Sequence, residues 1–250
     1  MVKKRVLLVG ESWSTHMLEI KGCDFFSIGG YGEGKEYLYD ALKDQYDVDY
    51  IPSQKVPATF PTELEGLFKY NAIILSDIGA NSFLLNPKTF YGFQPSPNRL
   101  KLMAEYVKEG GSLCMVGGYM SFMGIEGKAF YKDTVIEELL PVNLLGRDDR
   151  VELPEGVNIH INNTSHPLLS GLPETWPHLF GYNRLIAKKD ATVVASNGDD
   201  PIIILGSYGK GRTIAYATDC APHWAPPQFC ESELYVHLWQ NIAGWLVREF

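Results

Sequence analysis

Three short apolar runs, each cut off by a glycine or an acidic residue, constrain this chain more than any other feature. Val6-Leu7-Leu8-Val9 stops at Gly10-Glu11, Ala72-Ile73-Ile74-Leu75 at Ser76-Asp77, and Leu113-Cys114-Met115-Val116 at Gly117-Gly118. A run with no polar alternation reads as a strand buried on both faces, and such strands belong to parallel sheets covered by helices.

Between the runs the apolar period changes to that of a helix. Tyr37, Leu38, Ala41 and Leu42 share one helical face, as do Leu100, Met103 and Val107, whose helix is stopped by Gly110-Gly111. Tyr46 to Ile51 alternates like a strand and closes at Pro52, and Leu64, Leu67 and Phe68 suggest a short helix. The second half is richer in strands, at 157–161, 191–195, 202–205 and 213–218, with a hairpin turn across Tyr208-Gly209-Lys210-Gly211. A last helix carries Leu234, Leu238, Ile242, Trp245 and Leu246. Strands alternating with helices predict a doubly wound, mostly parallel α/β sheet with a β-rich C-terminal half, in one domain over residues 1–250. After the first strand the sequence reads as a loop with glycine punctuation at Gly29-Gly30, Gly32 and Gly34.

A chain of 250 residues is long enough to bury roughly 70–75% of its unfolded surface without disulfide or metal staples. Its net charge of −8 and scattered basic residues exclude a broad nucleic-acid or acidic-membrane surface. No apolar stretch approaches the ~20 residues of a membrane span, and the first strand is too short for a signal-peptide core. The four cysteines, Cys23, Cys114, Cys220 and Cys230, show no metal or disulfide spacing, so reduced thiols and a cytoplasmic setting are expected. Self-association is compatible with an acidic, aromatic-rich α/β chain, but no symmetry is legible.

In open α/β sheets ligands bind beyond the carboxyl ends of the strands. Those ends carry Glu11 and Ser12, Asp77, Gly117-Gly118-Tyr119, and Asp219-Cys220-Ala221-Pro222-His223-Trp224. His223 is a titratable imidazole that Asp219 could orient, and Cys220 is a candidate thiolate. The backbone amides around Gly117-Gly118-Tyr119 could hold an anion or a carbonyl oxygen. Glu11, Ser12, Asp77, Gly117, Gly118 and Trp224 are candidate ligand-binding residues. A metal site joining Asp219 and His223 with either His178 or Glu11 has no motif spacing behind it, and neither metal nor cofactor is expected. The phosphate-loop look of 207–212 lacks the required spacing and following helix, and His166 before Pro167 reads as a turn residue.

With Ile74 to Ala80, Gly117 to Phe122, His166-Pro167 with Gly171-Leu172-Pro173, and Tyr208 to Trp224 in view, the chain resembles the class I glutamine amidotransferase-like superfamily, in a bacterial branch of it. Trehalose-utilisation-like proteins resemble it more distantly. The resemblance spans nearly the whole chain and implies a flavodoxin-like layout. Working members of that superfamily use a cysteine on a strand-to-helix elbow and a His-Pro-Glu sequence after a late strand. Position by position, the elbow residue here is Tyr119, the histidine is His223, and the glutamate position falls on Ala225. The resemblance therefore implies a scaffold that acts on or binds a small polar metabolite without the usual glutaminase chemistry. A non-catalytic binding or assembly domain, and a hydrolase using His223 with Cys220 or a metal, stand as alternatives.

Overall fold

The computed structural model describes residues 3–162 and 165–250. Its strands, in chain order, are β1 (Arg5–Gly10), β2 (Ser12–Lys21), β3 (Asp24–Glu33), β4 (Asp47–Pro52), β5 (Ala72–Ser76), β6 (Ser112–Val116) and β7 (Val142–Asn143). They continue with β8 (Arg150–Val157), β9 (His160–Ile161), β10 (Leu179–Asn183), β11 (Ile186–Ala187), β12 (Thr192–Asn197), β13 (Asp200–Tyr208) and β14 (Gly211–Tyr216).

Eight strands form the central sheet in the order β4-β1-β5-β6-β14-β13-β12-β9. The first five run parallel to their neighbours, and the last three add an antiparallel edge. The sheet is mostly parallel and its C-terminal part is β-rich. β1, β5 and β6 are fully paired on both edges, and their side chains from Val6 to Val9, Ala72 to Leu75 and Leu113 to Val116 are buried, as the unbroken apolar runs require.

Helices close both faces. Glu36–Leu42 buries Leu38, Ala41 and Leu42, and packs on Glu233–Leu246, which buries Leu238, Trp239 and Ile242 among others. Arg99–Lys108 begins at Asn98, whose side chain accepts from the amides of Leu100 and Lys101, and it ends before Gly110 at φ +122°. Arg99 itself is buried and faces no carboxylate among its hydrogen-bond partners. Its guanidinium donates to the carbonyls of Phe83, Val56, Pro57 and Ser82, tying two short segments to this helix. His166 caps the turn at Pro167–Leu169 by accepting from Leu168 N. Among the described residues, no helix is long and apolar enough to cross a membrane.

Three elements depart from the expectation. Residues 12–33 are not a loop but a ten-by-ten residue antiparallel hairpin, Ser12 opposite Glu33 through Lys21 opposite Asp24. The expected strand at 157–161 is split between β8 and β9, which join different sheets. β10, read as no element, pairs with β8 to form a small ledge outside the main sheet.

Candidate functional site

The chain runs from β1 outward to β4 and then returns to the other side of β1 at β5. Adjacent strand ends that continue in opposite directions leave a crevice at their carboxyl edge. Glu11 and Asp77 follow β1 and β5 at that point, and both hold left-handed backbone, φ +46° and +44°. Non-glycine residues adopt this conformation at a cost that the surrounding structure must hold in place. For Glu11 the clamp is visible: its amide donates to Ser76 O at 2.8 Å, and its carbonyl accepts from Gly34 N at 3.0 Å.

A cavity of about 270 Å³ opens there. Glu11, Asp77, Asp219 and His223 supply its polar lining, with Trp13, Tyr119 and Pro222 completing it. Trp13 was not singled out by the sequence; it enters because the hairpin rises from the rim and Gly32 opposite leaves room for the indole.

The carboxyl groups are graded by depth. Glu11 is buried, accepts from Ser76 Oγ, and is raised well above the ordinary carboxylate range, first by burial and then by Asp219 and Asp77. Burial and the two neighbouring carboxyls both favour its neutral form. Asp77 is pushed up to about 6, mainly by burial and then by Asp219, while the amide of Met120 and His223 pull it down. Burial also raises Asp219, against the opposing pull of His223 and the amide of Ala221. His223 Nδ1 lies 3.5 Å from Asp219 Oδ2. Partial burial lowers the imidazole, but Asp219, Glu152 and Asp77 outweigh that and leave it raised.

His223 is held by rings. Its imidazole stacks on Trp224 at 5.2 Å and meets the Tyr119 ring edge-on at 4.2 Å. Glu152 fastens both supports, accepting from Tyr119 Oη and from Trp224 Nε1, each at 2.9 Å. With 38% of its side chain exposed, His223 remains reachable from solvent.

Other sequence candidates sit elsewhere or do something else. Cys220 is fully buried, and its Sγ lies 3.2 Å from Ser76 Oγ and 3.6 Å from Glu11 Oε2. Burial, with Glu11 and Asp219 nearby, raises its thiol well above the usual range, so it is no thiolate and its contacts turn away from His223. Ser12 is a brace rather than a cavity residue: its hydroxyl donates to Gln54 and accepts from Ser53 N. Trp224 lies beneath His223, outside the cavity lining.

The expected elbow is also different. No helix follows β6 directly, since residues 117–124 are non-helical and only a short 3-10 turn comes after them at Ile125–Gly127, so Tyr119 is not on a strand-to-helix elbow. The backward bend falls on Gly118, φ +150°, where a Cβ would stand 2.7 Å from Asp77 Oδ1. Gly117 is pressed against the Ala217 carbonyl, leaving no space for a side chain. Gly117 N donates to Tyr216 O and Thr218 O, Gly118 N to Asn183 Oδ1 at 2.9 Å, and Met120 N to Asp77 Oδ1 at 2.6 Å. Of the amides read from the sequence as available for an anion, those of Gly117 and Gly118 are engaged internally, as is the next one along at Met120. Asn183 in turn donates to Asp149, whose carboxylate accepts from Met123 N and Gly124 N. Neither Asp149 nor Asn183 carried a local signal, since each acts across more than twenty residues of chain.

Glu11, Asp219 and Cys220 bring one ligand atom each to within 4.8 Å of one another. Burial and the neighbouring acidic groups raise Glu11 and Cys220 well above their ordinary range.

Comparison with known proteins gives the chain its family. No curated protein matches it. It is similar over nearly its full length to two solved cytoplasmic proteins of Salmonella typhimurium. One is 44% identical with TM-score 0.93, covering 96% of this chain and 98% of that one; the other is 46% identical with TM-score 0.93, covering 97% and 99%. A β-galactosidase from Bacillus circulans sp. alkalophilus shares the fold alone, at 15% identity and TM-score 0.51, over 85% of this chain and 26% of that one. A family model described as "Putative glutamine amidotransferase" matches residues 5–248, and the chain belongs to that glutamine amidotransferase-like family.

Proposed function

We propose that this chain binds a small polar metabolite in the Glu11–Asp77–Asp219–His223 cavity and acts on it by carboxyl–imidazole acid–base chemistry, without a thiolate. The observation that carries this reading is the pairing of Asp77, titrating near 6, with the Asp219–His223 couple across one cavity. That arrangement sets a carboxylate that is ionised at neutral pH and an imidazole whose proton affinity is raised on the same volume. A cavity of about 270 Å³ suits a molecule the size of an amino acid or a monosaccharide, below the usual range of drug-sized pockets. Its carboxyl lining favours ligands bearing hydroxyl or amine donors.

Glutamine hydrolysis by the family's usual route does not fit these residues. The residue matching the family's elbow cysteine in sequence is Tyr119, whose phenol is raised further by burial and Glu152, and the one matching the glutamate is Ala225. We read the scaffold as one flavodoxin-like domain over 1–250, and as cytoplasmic like its two Salmonella relatives.

A second reading, a non-catalytic binding domain, is favoured by the internal use of the Gly118 and Met120 amides, which leaves those donors unavailable to an oxyanion. A turnover screen of hydroxy and amino metabolites, run with thermal-shift binding on the same panel, separates the two. Turnover that disappears in His223→Ala supports the first reading. Saturable binding with no turnover of any bound compound replaces it with the second, and ammonia release from glutamine by the wild type would overturn both.

A further inference from the structure

The hairpin of β2 and β3 is the least compact part of the molecule. It forms a sheet of its own with two unpaired edges, and beyond Ser12 nearly all its residues are exposed. Its side chains are not those of a solvated arm. The register places Leu18, Ile20, Phe25 and Tyr31 on one face, with Ile20 directly opposite Phe25. Trp13, Met17, Phe26 and Ile28 occupy the other, with Met17 opposite Ile28. All eight are exposed, Ile20 to 71% and Phe25 to 74%.

A two-stranded hairpin is marginal in water, and one with apolar groups on both faces and open edges is a template for association. These eight side chains present on the order of 800 Å² of apolar surface. The largest patch on a typical monomer is roughly 300–600 Å², whereas each partner in a stable complex buries about 800 Å². Split between two faces, the exposed area matches one partner's share of an interface that wraps both sides of the hairpin.

Charge selects the occupant. Beyond the neck the arm carries Glu19, Lys21 and Asp24, with Lys21 and Glu19 paired at 3.3 Å, so it offers no basic surface to a nucleic acid or an acidic lipid headgroup. The whole chain carries −8, which opposes an anionic bilayer. The same chain does hold a second unpartnered apolar strip. The segment 85–93, which leaves the same carboxyl edge after β5, exposes Leu85, Phe90, Tyr91 and Phe93.

We propose that the β2–β3 hairpin is a docking arm for a second copy of this chain, in a two-fold pair where each arm covers the other copy's 85–93 segment. Reciprocal contacts of this kind close at two copies. Because Trp13 stands both on the arm and in the cavity wall, pairing fixes one side of the site.

The full-length chain tests this by sedimentation from about 1 to 100 µM. A dimer is expected, with Ile20→Asp/Phe25→Asp monomeric and Tyr91→Ser/Phe93→Ser weakened at least tenfold in dimer affinity. Circular dichroism and cooperative melting of each variant establish that it folds. Cys23 at the arm's tip is exposed while Cys114, Cys220 and Cys230 are buried, so a nitroxide on Cys23 gives an independent reading, an inter-copy dipolar signal expected in wild type and absent in the arm variant. A wild type monomeric at 100 µM, or an arm variant still dimeric, overturns the proposal. So does a wild-type monomer that floats with phosphatidylcholine vesicles, and unchanged affinity in the Tyr91/Phe93 variant removes the receiving segment.

Discussion

His223 Nδ1 stands 3.5 Å from Asp219 Oδ2, four residues earlier, with the carboxylate buried and the imidazole open to solvent. Such a pair puts the ring at the cavity mouth with the carboxyl that raises its proton affinity behind it.

Replacing His223 with Ala should therefore abolish ligand turnover with little change in melting temperature, because the ring is partly exposed and contributes modest packing. The pH dependence has a definite sign. A histidine raised in the folded state adds stability below its unfolded pKa, and that increment fades as pH rises through the folded value. Urea unfolding should show wild type above His223→Ala by less than about 1 kcal/mol at pH 5.5, with the gap closing by pH 8. A gap that widens with pH would contradict the assigned pairing.

Asp77 behaves in the opposite sense. Its carboxyl is raised to about 6, so the folded state binds a proton more tightly than the unfolded chain, and stability falls as pH rises between roughly 4 and 6. Asn at this position keeps an oxygen for Met120 N and removes the buried charge. Asp77→Asn should match wild type near pH 4 and exceed it by about 1–2 kcal/mol at pH 7, measured by urea titration. Turnover should be lost in the same variant, since an amide is no base, while the wild-type profile shows an acid limb near pH 6.

Thiol counting checks the assignment of Cys220. One cysteine, Cys23, should react rapidly with Ellman's reagent at pH 8 in the folded protein, and the other three should react only in denaturant. Rapid modification of Cys220, identified by peptide mapping, would restore it as a nucleophile candidate. Cys220→Ser should leave the cavity's ligand affinity within about threefold of wild type, a change below 1 kcal/mol.

Arg99 offers a test of the scaffold away from the cavity. Arg99→Met fills similar space but leaves the Val56, Pro57, Ser82 and Phe83 carbonyls without their donor, and should cost about 3 kcal/mol or more in urea unfolding. Arg99→Lys, with a single ammonium and no planar fork, should recover only part of this.

What was legible in the sequence follows physical range. β1, β5 and β6 announce themselves because strands buried on both faces need unbroken apolar runs, and helix Arg99–Lys108 because its cap and stop residues are local. The cavity's position was legible because it lies at strand ends, and Glu11, Asp77, Tyr119, Asp219 and His223 meet there. The hairpin was missed because Gly29, Gly30, Gly32 and Gly34 look like loop punctuation, and because apolar groups on both faces erase the alternation of a half-buried strand. Ser12 misled for a different reason: its partner Gln54 is forty-two residues away. The Tyr119 turn depends on Asn183 and Asp149, contacts that no short window of sequence contains.

The two strands of the hairpin depart from and return to a single neck, where Gly34 N donates to Glu11 O. A segment whose entry and exit already touch can be exchanged as a cassette. Removing residues 13–32 and joining the flanks with a short turn would leave β1 and helix Glu36–Leu42 connected much as they are now. Within this architecture, the arm beyond Trp13 and the residues at the strand ends can change in sequence at separate rates.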